Sequence, residues 1–171
     1  MASTDPTVGI SHGGKSAEQR YRELTGAAQP PKAGYGDAEL GGTYIEVKKA
    51  TAATLNQVRA VKYIPLVAYH VPTDTWYVVP AHIVVCLVSS KGRGQHTENP
   101  FESATLNIFS LGKYKCAEAE LRERTLQAIA EAQKHSDLKI AMDQVLASSK
   151  DLSAKSVADV TACIAKLKIE P

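Results

Sequence analysis

Two prolines, Pro65 and Pro80, bracket a stretch that has few ways to fold. Leu66–Val71 and Thr75–Val79 are both rich in β-branched and aromatic residues, and Pro72-Thr73-Asp74 lies between them. Three turn-forming residues between two strand-like runs predict an antiparallel hairpin. The chain around it has 171 residues, the length of one ordinary domain. Its hydrophobic fraction of 44% excludes wholesale disorder. No apolar run reaches the roughly 18 residues of a membrane helix, so no membrane association is expected. No basic start followed by an apolar stretch marks a secretory leader. Three widely spaced cysteines, Cys86, Cys116 and Cys163, form no Cys-x-x-Cys pair and read as reduced thiols in a cytoplasmic protein.

Local signals place the other elements. Residues 1–14 are small, polar and Gly-rich, which predicts a flexible arm. KSAEQRYRELT, from Lys15 to Thr25, has helical spacing, with Ser16 as a cap and Gly26 at the stop. GAAQPPKAGYG reads as loop. In Thr43–Lys48, Ile45 and Val47 alternate with Tyr44, Glu46 and Lys48, the pattern of a half-buried strand. Leu55, Val58, Val61 and Tyr63 predict a helix over Ala52–Ile64 that Pro65 stops. Ala81–Ser89 is short and apolar and fits either a helix or a buried strand. Lys91–Ser103 reads as polar loop. Helices are expected over about Ala117–Lys134, with Leu121, Leu126, Ile129 and Ala130 on one face, then Asp137–Ser148 and Ser153–Leu167. The fold class is therefore a mixed α/β core over residues 15–110, with a helical C-terminal extension over 111–171 that packs on the core or serves dimerisation.

Charge excludes a protein that depends on a strong basic excess: 20 Lys and Arg against 18 Asp and Glu give a net +2. Any nucleic-acid site must be a local patch. One motif is formally present: Gly9–Ser16, GISHGGKS, satisfies G-x-x-x-x-G-K-[ST]. Asp5 and Pro6 precede it where a phosphate-binding loop needs a buried strand, so it reads as a Gly-rich entry into a helix. A second constellation is Asp37 followed nine residues later by Glu46-Val47-Lys48. Glu46 and Lys48 are i and i+2 on a strand and share a face. Hard carboxylate oxygens from Asp37 and Glu46 suit Mg²⁺, or Mn²⁺ in its place, which would polarise a phosphodiester and acidify a bound water. The Lys48 ammonium would orient that water and stabilise charge on the phosphorus centre. A solvated strand face with an i, i+2 ion pair is the competing reading.

The order of these residues resembles the PD-(D/E)xK nuclease superfamily, which includes type II restriction endonucleases and archaeal Holliday-junction resolvases. Glu18 lies in GKSAEQRYRELTG, Asp37 in GYGDAEL, Glu46 and Lys48 in YIEVKKA, and Gln57 in TLNQVRAVKY. The likeness spans about residues 14–80, and Gly36 stands where the family name has proline. It implies a restriction-endonuclease-like core, a Mg²⁺-dependent endodeoxyribonuclease, catalytic Asp37, Glu46 and Lys48, Glu18 as a further metal ligand and Gln57 as a supporting residue.

Restriction-type activity is preferred over a junction resolvase, because the chain is only weakly basic and carries about fifty-five residues of extra helix (117–171). The substrate is then double-stranded or branched DNA. Lys49, Arg59, Lys62, Lys91 and Arg93 are candidate phosphate contacts, with Arg59 and Lys62 expected on one helix face. Cutting both strands of a duplex needs two sites, so a homodimer is expected. A catalytically silent DNA-binding module and a phosphate-loop nucleotide binder are the other readings.

Overall fold

The computed structural model describes residues 16–32, 34–89, 101, 103–147 and 154–167. The N-terminal arm, Gly9–Lys15 of the phosphate-loop motif, and Lys91 and Arg93 lie outside the described residues. The fold is mixed α/β. In chain order the elements are α1 (Ala17–Thr25), β1 (Ala38–Leu40), β2 (Thr43–Ala50), β3 (Thr54–Val58), β4 (Leu66–His70) and β5 (Thr75–Val79). They continue with α2 (Ala81–Ser89), β6 (Ala104–Asn107), β7 (Lys115–Cys116), α3 (Leu121–Gln133), α4 (Ser136–Ala147) and α5 (Ala154–Leu167). Five strands form a mixed sheet in the order β1-β2-β4-β5-β7, and β3 pairs with β6 in a separate two-stranded sheet. No helix among the described residues is long and apolar enough to cross a membrane.

The expected hairpin is present. β4 and β5 pair antiparallel from Leu66↔Val79 to His70↔Thr75, joined by a 3-10 turn over Val71–Thr73 with Asp74 in the left-handed region. The turn is pinned by its own side chains: Tyr69 Oη donates to Asp74 Oδ1 (2.6 Å), and His70 Nδ1 lies 2.7 Å from Thr73 Oγ1. β2 joins β4 in parallel, Glu46 beside Leu66 and Lys48 beside Ala68. Parallel neighbours need a crossover, and here it carries β3.

Two cores sandwich the large sheet. On one face, Ile45, Val47, Val67, Tyr69, Trp76 and Val78 pack under α1 and α3, which contribute Tyr21, Leu121 and Ile129. On the other face, Ala50, Leu66, Ala68, Tyr77 and Val79 pack against β3, β6, α2 and α4. α2 is buried from Ala81 to Val88, which is why its apolar run carries no face-to-face contrast in sequence. It is a helix because Pro80 starts it: the Pro80 carbonyl accepts N–H bonds from Ile83 and Val84 (both 3.0 Å).

Two expectations are corrected. Ala52–Ile64 is not a helix. It holds strand β3, whose register with β6 shifts between Leu55 and Val58, and then an irregular turn through Tyr63. The i, i+3 spacing of Leu55 and Val58 mimics a helical stripe, but the bulge is what brings both inward. Gln57, between them, has φ 54°. In α3, Leu126 is 38% exposed and Ala130 is exposed; the inward stripe is Leu121, Thr125, Ala128, Ile129 and Ala132. Thr125 is tolerated there because its hydroxyl donates to Leu121 O (2.7 Å) and meets Tyr21 Oη at 2.8 Å.

Candidate active site

β1 is only three residues long, and its ladder with β2 ends at Ile45, which leaves the place beside Val47 to the preceding loop. Asp37 fills that position. Its N–H donates to Ile45 O (2.8 Å), and its Oδ2 accepts the N–H of Val47 (2.8 Å). The carboxylate therefore stands at the strand edge, tied to the residues on either side of Glu46. Gly36 makes this approach possible: a Cβ there would lie 3.0 Å from Ile45 O and 3.1 Å from Tyr44 Cβ. A side chain in that place would push the loop off the strand.

Glu46 and Lys48 project from one face of β2, as alternation requires. Lys48 Nζ lies 3.3 Å from Glu46 Oε1, with their side chains 20% and 19% exposed. Helix α1 brings a third acid. Ser16 caps it, accepting the N–H of Gln19 at Oγ (3.1 Å), and Gly26 closes it in the left-handed region with its N–H on Arg22 O. Two arginines fasten the helix. Arg22 Nη1 donates to Asp37 O (2.9 Å), while Arg20 pairs with Glu118 (2.8 Å) and lies over the ring of Tyr69 at 4.8 Å.

Glu18 on this helix senses the strand residues. Partial desolvation and then the Asp37 carboxylate push its pKa above the usual range, and Arg22 and Lys48 oppose the rise. The side chain is exposed, so solvent screens much of this coupling. A cleft of about 380 Å³ opens beside it, lined by Glu18, Lys48, Lys49, Thr51 and Asn56 among others.

Four of the sequence-predicted residues, Glu18, Asp37, Glu46 and Lys48, thus belong to one neighbourhood at the β2 edge. Others are dispersed. Lys49 lines the cleft from the opposite face of β2. Gln57 sits at the β3 bulge, exposed, and Arg59 follows β3. Lys62 is in the next turn, where Nζ donates to Gly34 O (2.5 Å). With no helix over Ala52–Ile64, Arg59 and Lys62 do not share a helix face. Sequence reasoning missed Asn56, which lines the cleft beside Lys48, and Arg22, which holds the Asp37 backbone. A lone amide in a polar run and an ordinary helix arginine carry no signal that singles them out.

The donor set fits a hard divalent cation in type: carboxylate oxygens from two elements, with a lysine beside them. Asp37 Oδ1 is the oxygen left over by the bond to Val47. Among the described residues, no three His, Cys, Asp or Glu side chains are grouped closely enough to hold an ion, so Glu18 does not complete a closed cage with the other two acids. No protein-family model matches the chain, and no curated protein or solved structure matches it.

Proposed function

We propose that this protein is a metal-dependent endodeoxyribonuclease that hydrolyses DNA phosphodiester bonds at the β2 edge. The observation that carries the reading is the setting of Asp37, hydrogen-bonded on both sides of Glu46, with the Lys48 ammonium 3.3 Å from Glu46. A carboxylate, a second carboxylate and a lysine in this relation supply what phosphodiester hydrolysis asks of a protein. Asp37 and Glu46 would hold Mg²⁺ or Mn²⁺, and the cation would supply Lewis-acid polarisation of the phosphate and a water of lowered pKa. Lys48 would orient the attacking water by hydrogen bonding and stabilise negative charge accumulating on the phosphate oxygens. Glu18 adds negative potential that favours a cation over an anion at the mouth of the cleft. Gly36 departs from the family's proline, and its missing side chain lets the loop close on β2 and deliver Asp37.

Cleavage of both strands of a duplex would require a second copy of the site, so the proposal includes a homodimer. Arg59 and Lys62 remain proposed phosphate contacts, now as separate loop residues, and so do Lys91 and Arg93, which lie outside the described residues. The test is incubation with supercoiled plasmid and with a four-way junction, in Mg²⁺ and in EDTA. Nicking or linearisation in Mg²⁺ alone, lost in Asp37→Ala and Lys48→Ala, supports the reading. Intact DNA under all conditions, with binding retained, identifies a catalytically silent DNA-binding module.

A further inference from the structure

Tyr44, Glu46 and Lys48 lie on one face of β2, so the row of chemically active side chains continues past the carboxylate to an aromatic ring. At about 3.3 Å per residue, the Tyr44 backbone lies roughly 7 Å from that of Glu46. The ring of Tyr35 packs against Tyr44 with centroids 5.1 Å apart and planes tilted by 41°. Tyr35 is nevertheless 43% exposed. The absence of a side chain at Gly36 lets the 34–36 loop close on Tyr44. Two cations flank the pair: Lys32 Nζ is 5.9 Å from the Tyr35 ring centroid, and Lys62 Nζ is bonded to Gly34 O in the same loop. Glu39, the β1 partner of Tyr44, is the one acid that the strand pairing places beside it.

We propose that Tyr35 and Tyr44 form a stacking platform for an unpaired base next to the phosphate being cut, so that the preferred substrate is DNA with single-stranded character at the cleavage site. This rests on the nuclease reading and narrows it. An exposed aromatic face bordered by lysines is the surface that binds single-stranded nucleic acid, because every base presents a π-face and every linkage a negative charge. In an intact duplex both faces of a base are already covered by its neighbours. A platform one nucleotide away from the acids and the lysine therefore discriminates in favour of a flap, a branch or a frayed end.

The test uses fluorescence anisotropy in EDTA, so that binding is read without cleavage. The probes are a single strand, a blunt duplex, a duplex with a flap, and the same flap with an abasic nucleotide at the junction. The flap is expected to bind roughly tenfold more tightly than the blunt duplex. Tyr35→Ala should remove that preference, Tyr35→Phe should keep it, and the abasic flap should lose it in the unaltered protein. Because the abasic probe needs no variant, a Tyr35→Ala chain that fails to fold does not blunt the test.

Equal binding of flap, abasic flap and duplex overturns the platform. If plasmid is still nicked in Mg²⁺, the nuclease reading survives that result. Tyr35-dependent flap binding without cleavage in Mg²⁺ or Mn²⁺ overturns the nuclease and leaves the platform as a DNA-binding surface. Absence of any DNA binding overturns both.

Discussion

Strands β2 and β4 lie side by side and in register, Glu46 against Leu66 and Lys48 against Ala68, yet they are built to opposite ends. Every residue of β4 is buried. β2 buries Ile45 and Val47 but leaves Glu46 and Lys48 partly exposed on its other face. The difference comes from their neighbours. β4 is flanked by β2 and β5 along its whole length, whereas β2 pairs on its outer side with the three residues of β1 and then meets the Asp37 carboxylate. A charged pair on a central strand would lose hydration on all sides. At an edge it keeps part of its hydration and stays reachable by a ligand. A fully buried strand and a partly exposed charged pair are thus separated by the width of one strand.

The contrast can be broken from either side. The largest expected effects are on β2: Glu46→Ala and Lys48→Ala should each lower Mg²⁺-dependent nicking roughly 100-fold or more, the scale of losing one transition-state charge contact. Their melting temperatures should fall by a few degrees at most, since the pair keeps about a fifth of its side-chain surface in solvent and an ion pair with solvent access contributes about 1 kcal/mol or less. Leu66→Ala on β4, beside Glu46, should do the reverse. It removes a buried side chain and should cost about 2–5 kcal/mol in urea unfolding, with nicking by the remaining folded protein little changed. If Glu46→Ala or Lys48→Ala destabilises the chain as much as Leu66→Ala does, the division between the strands is wrong.

A smaller effect tests the buried helix α2. His82 is buried, its ring centroid is 4.5 Å from that of His135, and its Nδ1 has no hydrogen-bond partner among the described residues. Burial, and then His135, lower its pKa to about 4. The unfolded chain takes up this proton near pH 6.5, so stability should fall as pH drops from about 6.5 towards 4. His82→Phe should flatten the urea midpoint over that window. An unchanged pH slope would mean that His82 is already solvated.

Lys49→Ala should weaken DNA binding a fewfold and reduce its salt dependence without touching the chemical step. The Lys48 and Lys49 phenotypes must differ, because successive strand side chains point to opposite faces. Equal losses would contradict the register of β2.

The smallest effect concerns Glu18. Its raised pKa means that the folded state binds the proton more tightly than the unfolded state, so its ionisation detracts from stability as pH rises above about 4.5. Glu18→Gln should therefore be slightly more stable than the parent at pH 7 and equal to it at pH 4, while cleaving more slowly. A loss of stability at pH 7 would show that the carboxylate makes a favourable contact instead.

What the sequence determined by itself was whatever local chemistry enforces. The first helix follows from Ser16 and Gly26, whose capping bonds lie within a few residues of each other. The β4–β5 hairpin follows from Pro72-Thr73-Asp74, and β2 from the alternation of Ile45 and Val47 with polar partners. The pairing of Glu46 with Lys48 follows from i, i+2 geometry alone. The tertiary structure decided everything that depends on a distant partner. β3 is a strand because β6, about fifty residues later, offers it a ladder, and a helical spacing of Leu55 and Val58 cannot report that. Thr125 is a core residue because Tyr21, from the first helix, supplies its hydrogen bond. The place of Asp37 beside Glu46 was legible only as a spacing; the bonds to Ile45 and Val47 and the empty Cβ position of Gly36 fix it. A local pattern sets which conformations a segment can adopt, and long-range burial and hydrogen bonding choose among them, because the free-energy gain of a nonlocal contact exists only once both ends of it are in place.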